Sequence, residues 1–251
     1  MVVDKLYVIS NYFYAAVLFL VSLWIANSFE TADFGELSFF RLSIQYLQYT
    51  ELGLLQYVFR SLSAEEKIDR NDVNKIVSYL LISIFSVFTF YVILGHQFSF
   101  FTDSSYLLIL IFCIINGLFG KHTIDRLRIE GKIRTIVYLE GVANLLLLIG
   151  VAISILLFDN NLLIILISYG FYQIPFTLYF LFFLYEDLSF KLDFRLNKSL
   201  LYESIMLVFF GLGSLFYFSI DRLIIKFNWG FEELGLYAFP LTVVTGGFIV
   251  M

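Results

Sequence analysis

Eight apolar stretches divide the chain, and the first six polar segments between them alternate between holding no Lys or Arg and holding several. The stretches cover residues 6–27, 37–59, 76–94, 106–120, 135–158, 162–185, 200–220 and 234–251. Segments 28–36, 95–105 and 159–161 carry no basic residue. The alternate ones carry Arg60, Lys67, Arg70 and Lys75, then Lys121, Arg126, Arg128, Lys132 and Arg134, then Lys191, Arg195 and Lys198. Translocation disfavours Lys and Arg in short loops, so this segregation sets the basic loops, and the N-terminus with Lys5, on the cytoplasmic side of a membrane.

A stretch of about 20 apolar residues matches a helix crossing ~30 Å of hydrocarbon, whereas a barrel strand needs only about ten alternating residues. Backbone groups in lipid must bond internally, which helices do within one segment. The expected fold class is therefore all-α, a polytopic bundle of eight transmembrane spans. A chain that is 60% hydrophobic, 15% charged and of mean hydropathy +0.87 agrees. The net charge of −5 does not suggest a nucleic-acid partner, because the acidic residues are spread over both sides. The single cysteine, Cys113, lies inside an apolar stretch and reads as packing rather than as a disulfide or metal ligand. His96 and His122 fall in expected loops on opposite sides, so no metal site, cofactor motif or nucleophile–base arrangement emerges. The first stretch is long, barely basic at its start and followed by seven more, so it reads as a retained span rather than a signal peptide.

An internal echo divides the chain. Phe34-Gly35-Glu36-Leu37-Ser38-Phe39-Phe40 follows the first stretch as Leu234-Gly235-Leu236-Tyr237-Ala238-Phe239-Pro240 follows the seventh, at an offset of 200 residues (235 less 35). Both follow acidic residues, Asp33 in one case and Glu232-Glu233 in the other. This reads as a parallel repeat: a six-helix lobe over 1–198 and the first two helices of a second lobe over 199–251. If the second lobe also needs six spans, the expected whole has about twelve or more.

Thirteen of the 16 basic residues lie in the four cytoplasmic segments, leaving Arg41, Arg222 and Lys226. An ionised group within a span costs several kcal/mol unless it faces a polar cavity or a partner, which makes such residues functional candidates; snorkelling near a span end is the alternative. At 100° per residue, Arg41, Gln45, Gln48, Leu52 and Gln56 share one face of span two, with Glu51 beside it near mid-membrane. The opposite face, with Phe40, Ile44, Leu47, Leu54 and Val58, is apolar. This pattern predicts a helix lining a hydrated cavity; bonding of the same polar groups to neighbouring helices is the competing reading. Asp221 and Arg222 lie below the membrane surface if span seven extends to Phe227, a helix of about 28 residues or ~42 Å, and at the interface if it ends at Ile220. Asn11, Asn116, Glu140, Asn144 and Gln173 read as structural. Pro175 and Pro240 are expected to kink spans six and eight.

The stretches from Phe34-Gly35 through Glu51-Leu52-Gly53-Leu54 to Arg60, and from Asp221-Arg222-Leu223-Ile224-Ile225 to Glu233-Leu234-Gly235-Leu236-Tyr237, resemble the polysaccharide-biosynthesis flippases. These are the O-antigen and capsule lipid-linked oligosaccharide exporters of the multidrug, oligosaccharidyl-lipid and polysaccharide exporter superfamily. The resemblance implies two six-helix lobes and about twelve to fourteen spans in the bacterial inner membrane. It implies no enzyme activity and no cofactor. It also implies movement of an undecaprenyl-pyrophosphate-linked oligosaccharide from the cytoplasmic to the outer leaflet by alternating access. On that reading Arg41 and Arg222 bind the anionic head, Gln45 and Gln48 bond sugar hydroxyls, and Glu51 or Asp221 couples movement to protons or sodium. Export of cationic drugs, as in the related multidrug branch, is the alternative within transport; it would want acids to dominate the cavity. A membrane-embedded glycan-assembly enzyme is a further alternative, which the short outer segments disfavour.

Overall fold

Every described segment of the computed structural model is helical or a short link; it describes residues 2–51, 105–184 and 198–250, with 78, 81–86 and 88–89 between. The elements are α1 (Val2–Ser28), α2 (Thr31–Leu47), a 3-10 turn (Gln48–Glu51), α3 (Ser105–Ile129), α4 (Ile133–Leu157), α5 (Leu162–Tyr172), α6 (Ile174–Leu184), α7 (Lys198–Trp229) and α8 (Phe231–Val250). There is no strand among the described residues. Among the described residues, five segments are long and apolar enough to cross a membrane: Tyr7–Ser28, Ser105–Ile129, Ile133–Leu157, Leu162–Phe182 and Tyr202–Trp229. Large apolar side chains stand on the surface, with Phe210 and Tyr217 each 77% exposed. Water would penalise such a surface, whereas lipid tails are its natural solvent. The chain is an all-α, multi-pass membrane protein.

The links are short and carry the residues their geometry demands. Gly131 (φ +69°) follows α3 and Gly230 (φ +95°) is the single residue between α7 and α8, both in the left-handed region that glycine enters without a Cβ clash. Between α4 and α5, Asp159 (φ 47°) and Asn160 (φ 64°) take the same conformation, which short polar side chains tolerate best after glycine. Ser154 Oγ then donates to Asn161 O at 2.7 Å and closes that turn.

Three expectations are corrected. The fourth apolar stretch ends at 120, but α3 continues to Ile129. Lys121, Arg126 and Arg128 therefore ride on its last turns, where basic side chains favour the negative end of the helix dipole. His122 consequently lies on a helix and is buried, not in a loop. Hydropathy marks only the part of a helix that lipid covers, and the helix runs through Gly117 and Gly120 to the turn at Gly131, whose φ of +69° ends it. Span two was expected as one helix to 59; its α-helix ends at Leu47 and tightens into the 3-10 turn, a tightening that often marks a helix end or a hinge. Residues 52–59, including Leu52 and Gln56, lie outside the described residues, as do His96 and most of span three. Span six breaks at Gln173, whose N–H donates to Gly170 O at 3.4 Å. Pro175, which has no N–H, follows two residues later, as its sequence position implied. Pro240 lies within α8 without ending it.

The chain packs as two compact units. The first comprises Met1–Ser43, Lys132–Pro175 and Phe218–Met251, and the second Ile44–Gly131 and Phe176–Tyr217. Both lobes expected from the echo contribute to the first unit. In it α1 packs on α4 and α8, and α4 on α5, around Ile25, Leu37, Phe40, Ile136, Ile165 and Leu234. Tyr14 of α1 donates its hydroxyl to Val137 O at 3.0 Å and lies over Gly141 of α4. In the second unit α3 meets the 3-10 turn, and Phe119 and His122 of α3 pack against Phe180 of α6, with ring centroids 5.0 and 5.4 Å apart.

Helix α4 approaches α5 closely because Gly150 has no side chain. A Cβ there would meet Ser168 Oγ and lie 2.5 Å from Ser168 Cβ. Gly150→Ala is expected to lower the thermal midpoint of the detergent-solubilised protein by a few degrees, as overpacking of about 1–3 kcal/mol does. Adding Ser168→Gly should recover most of the loss, which a melting curve of the two variants would check.

Candidate functional site

Arg41 sits nearly three turns into α2, in the first unit, where side chains of α1 and α5 meet it. Its Nη2 donates to Ser22 Oγ at 3.3 Å, and its guanidinium carbon lies 4.8 Å from the centroid of the Tyr169 ring. Ser22 donates its own proton to Leu18 O at 2.8 Å, which leaves its lone pairs facing the guanidinium. Tyr169 contributes a ring face, and its buried hydroxyl has no hydrogen-bond partner among the described residues. A cation over an aromatic face gains about 0.5–2 kcal/mol, enough to orient the guanidinium but far from neutralising it. No carboxylate pairs with Arg41 among the described residues.

The remaining candidates separate. Gln45 is exposed on α2 and Gln48 is half-buried in the 3-10 turn; both belong to the second unit. The Gln48 amide lies over Gly117 of α3, where a Cβ would come 3.0 Å from its Nε2. Glu51 closes the 3-10 turn. The apolar face opposite the stripe is partly occupied by protein, since Phe40 is fully buried.

Helix α7 runs unbroken for 32 residues, about 48 Å at 1.5 Å per residue, so Asp221 and Arg222 lie inside a helix and not at its end. Adjacent residues point to different faces, and the two are engaged differently. One Asp221 oxygen accepts the hydroxyl proton of Tyr237 from α8, and the other accepts the backbone N–H of Arg222 at 2.8 Å. The Arg222 guanidinium folds back along its own helix, with Nη2 donating to Phe218 O at 3.1 Å and Nε buried without a partner among the described residues. Among those residues, no hydrogen bond or ion pair joins Arg41 to Asp221 or Arg222.

The third basic residue outside the loops has a setting the sequence did not disclose. Lys226 is 9% exposed and sits in the last turn of α7. Its Nζ lies 4.4, 4.8 and 5.3 Å from the ring centroids of Phe227, Phe39 and Phe231. Glu36 of α2, 4% exposed, is the carboxylate whose charge acts on it. The usable signals were the position of Lys226 outside the basic loops and that of Glu36 beside the repeated glycine, but neither indicated the other.

No cluster of three or more His, Cys, Asp or Glu able to hold a metal occurs among the described residues. Comparison with protein-family models, with curated proteins and with solved structures gives no match.

Proposed function

We propose that this multi-pass membrane protein is a transporter that moves an anionic, lipid-linked glycan between leaflets, with its N-terminus and basic loops cytoplasmic. The resemblance in the sequence suggests an undecaprenyl-pyrophosphate-linked oligosaccharide carried outward by alternating access. The observation that supports an anionic cargo is the setting of Arg41: a permanent cation in the helix bundle, steadied by a hydroxyl and a ring, with no counter-ion among the described residues. A diphosphate supplies that counter-ion and can take two parallel N–H···O bonds from one guanidinium. The Tyr169 hydroxyl nearby has a donor to offer. Arg222 is the second cation of this reading, and Gln45 and Gln48 offer amides to sugar hydroxyls. Asp221, already bonded to Tyr237, and Glu51 are the candidates for coupling to protons or sodium.

Leaflet-resolved detection of the glycan lipid tests this in cells carrying the intact gene, an Arg41→Ala/Arg222→Ala version, or a deletion. The expected result is accumulation on the cytoplasmic leaflet in the latter two. Unchanged distribution accompanied by altered sensitivity to cationic drugs would instead make the protein a multidrug exporter.

A further inference from the structure

The donors around Arg41 outnumber the acceptors. A guanidinium carries five N–H groups and accepts nothing. One of its nitrogens donates to Ser22 Oγ at 3.3 Å, and Ser22, 7% exposed, has committed its own proton to Leu18 O. Tyr169 adds a further donor, the phenol O–H, on the rim of the ring whose centroid lies 4.8 Å from the guanidinium carbon. It is the one tyrosine hydroxyl buried without a hydrogen-bond partner among the described residues, whereas the hydroxyls of Tyr14 and Tyr237 each have an acceptor.

The local packing of α5 explains how Tyr169 comes to stand there. Its neighbour Ser168 is pressed against Gly150 of α4, where a Cβ would lie 2.5 Å from Ser168 Cβ, and it donates back to Ile164 O at 2.6 Å. Adjacent residues of a helix face different ways, so Tyr169 leaves the seam with α4 and meets Arg41 of α2. Ser168 satisfies its donor within its own helix. A phenol carries its oxygen at the far end of a rigid ring, out of reach of those carbonyls. A buried donor left unmade costs stability, and the contact between ring and guanidinium does not require it, since a phenylalanine offers the same face.

We propose that Tyr169 is a specificity-determining residue of the Arg41 site: its ring orients the guanidinium, and its hydroxyl takes a second oxygen of the phosphoryl group that Arg41 binds. This rests on the reading of the site as one for an anionic headgroup. Two charge-assisted hydrogen bonds of about 2.5–2.9 Å, joined through one phosphoryl group, reach from the guanidinium to the rim of the ring. A set of donors whose acceptor is already engaged fits a ligand made of acceptors alone. A phosphoryl group is such a ligand. A sugar hydroxyl brings a proton of its own, and an ammonium brings only protons.

The test measures melting curves and probe binding of the detergent-solubilised whole chain. Farnesyl diphosphate and inorganic pyrophosphate are the probes, because both present phosphoryl oxygens and one of them has an isoprenyl tail. Tyr169→Phe is expected to raise the thermal midpoint of the unliganded protein by a few degrees, because an unmade donor leaves the interior. The same change should weaken farnesyl diphosphate binding about tenfold, the loss of one charge-assisted hydrogen bond. Tyr169→Leu should weaken binding further, as the guanidinium also loses the surface that orients it. Opposite signs on stability and affinity separate this role from a structural one, in which removal of the hydroxyl lowers the midpoint. Unchanged affinity in Tyr169→Phe overturns the assignment whatever the midpoint does. If Arg41→Ala loses binding in the same series, the anion site then stands without Tyr169; if neither substitution affects binding, the anionic reading of Arg41 falls with it. Pyrophosphate bound as tightly as farnesyl diphosphate would make the ligand a soluble phosphate compound and overturn the lipid-linked cargo, while leaving Tyr169 its role.

Discussion

Replacing Gly35 by valine is expected to prevent stable assembly of α2 against α8. The added Cβ would occupy the space of the Phe231 carbonyl oxygen and crowd the Gly235 nitrogen at 2.8 Å. Both obstacles are backbone atoms at the start of a helix, which cannot rotate aside as a side chain can. Overpacking usually costs about 1–3 kcal/mol and more where nothing yields, a large share of a typical domain's ~5–15 kcal/mol. Size-exclusion profiles and melting curves of the detergent-solubilised protein should show little monodisperse Gly35→Val material, and Gly235→Val should behave alike because a Cβ there would overlap the Thr31 carbonyl oxygen of α2. Gly213 of α7 is the internal control. A Cβ there meets nothing within 4 Å, so Gly213→Ala should be neutral or stabilising by up to about 1 kcal/mol, the difference in helix propensity. Equal behaviour of the 35 and 213 variants would mean that the close crossing is not a feature of the folded protein.

The second large effect is expected at Arg41, on transport and not on folding. If the guanidinium holds a diphosphate, Arg41→Ala removes charge-assisted hydrogen bonds worth about 1.5–3 kcal/mol each, or roughly a 10- to 150-fold loss of apparent affinity per bond. Arg41→Lys keeps the charge but loses the planar fork and should fall between the two. Ser22→Ala removes only the 3.3 Å contact that steadies the guanidinium and should cost about tenfold or less. That ranking, with Ala worst, Lys intermediate and Ser22→Ala mildest, is measurable as outward movement of glycan lipid against substrate supply in proteoliposomes. A purely structural arginine would give the reverse signature, a lowered melting point in proportion to each loss of transport.

Several elements were legible in the sequence because their causes are local. Stretches 6–27 and 135–158 became α1 (Val2–Ser28) and α4 (Ile133–Leu157), since the preference of an apolar side chain for lipid adds residue by residue along a helix. Pro175 announced the break at Gln173 for an equally local reason, a missing N–H. The overshoot of α3 past residue 120 shows the limit: hydropathy reports the solvent around a helix, while the helix ends where a residue such as Gly131 can turn the chain. In the candidate site, the presence of Arg41 on a helix could be read in advance, whereas the sequence left open whether span seven reached Asp221 and Arg222, which the 32-residue α7 settled. Their partners Ser22, Tyr169 and Tyr237 could not be read in advance, because each comes from another helix.

By itself, then, the sequence determined that the chain is a helical, multi-pass membrane protein, and it marked the few charges that lipid would not tolerate unaided. Tertiary structure alone decided which groups meet those charges. Phe39 and Lys226 are 187 residues apart (226 less 39), and nothing near either one specifies the other, yet the Lys226 Nζ lies 4.8 Å from the Phe39 ring centroid. They meet because Gly35 and Gly235 let two helix starts approach more closely than any side chain would allow. Such an approach depends on the shapes of both partners at once, whereas burial in lipid is a property of each residue separately.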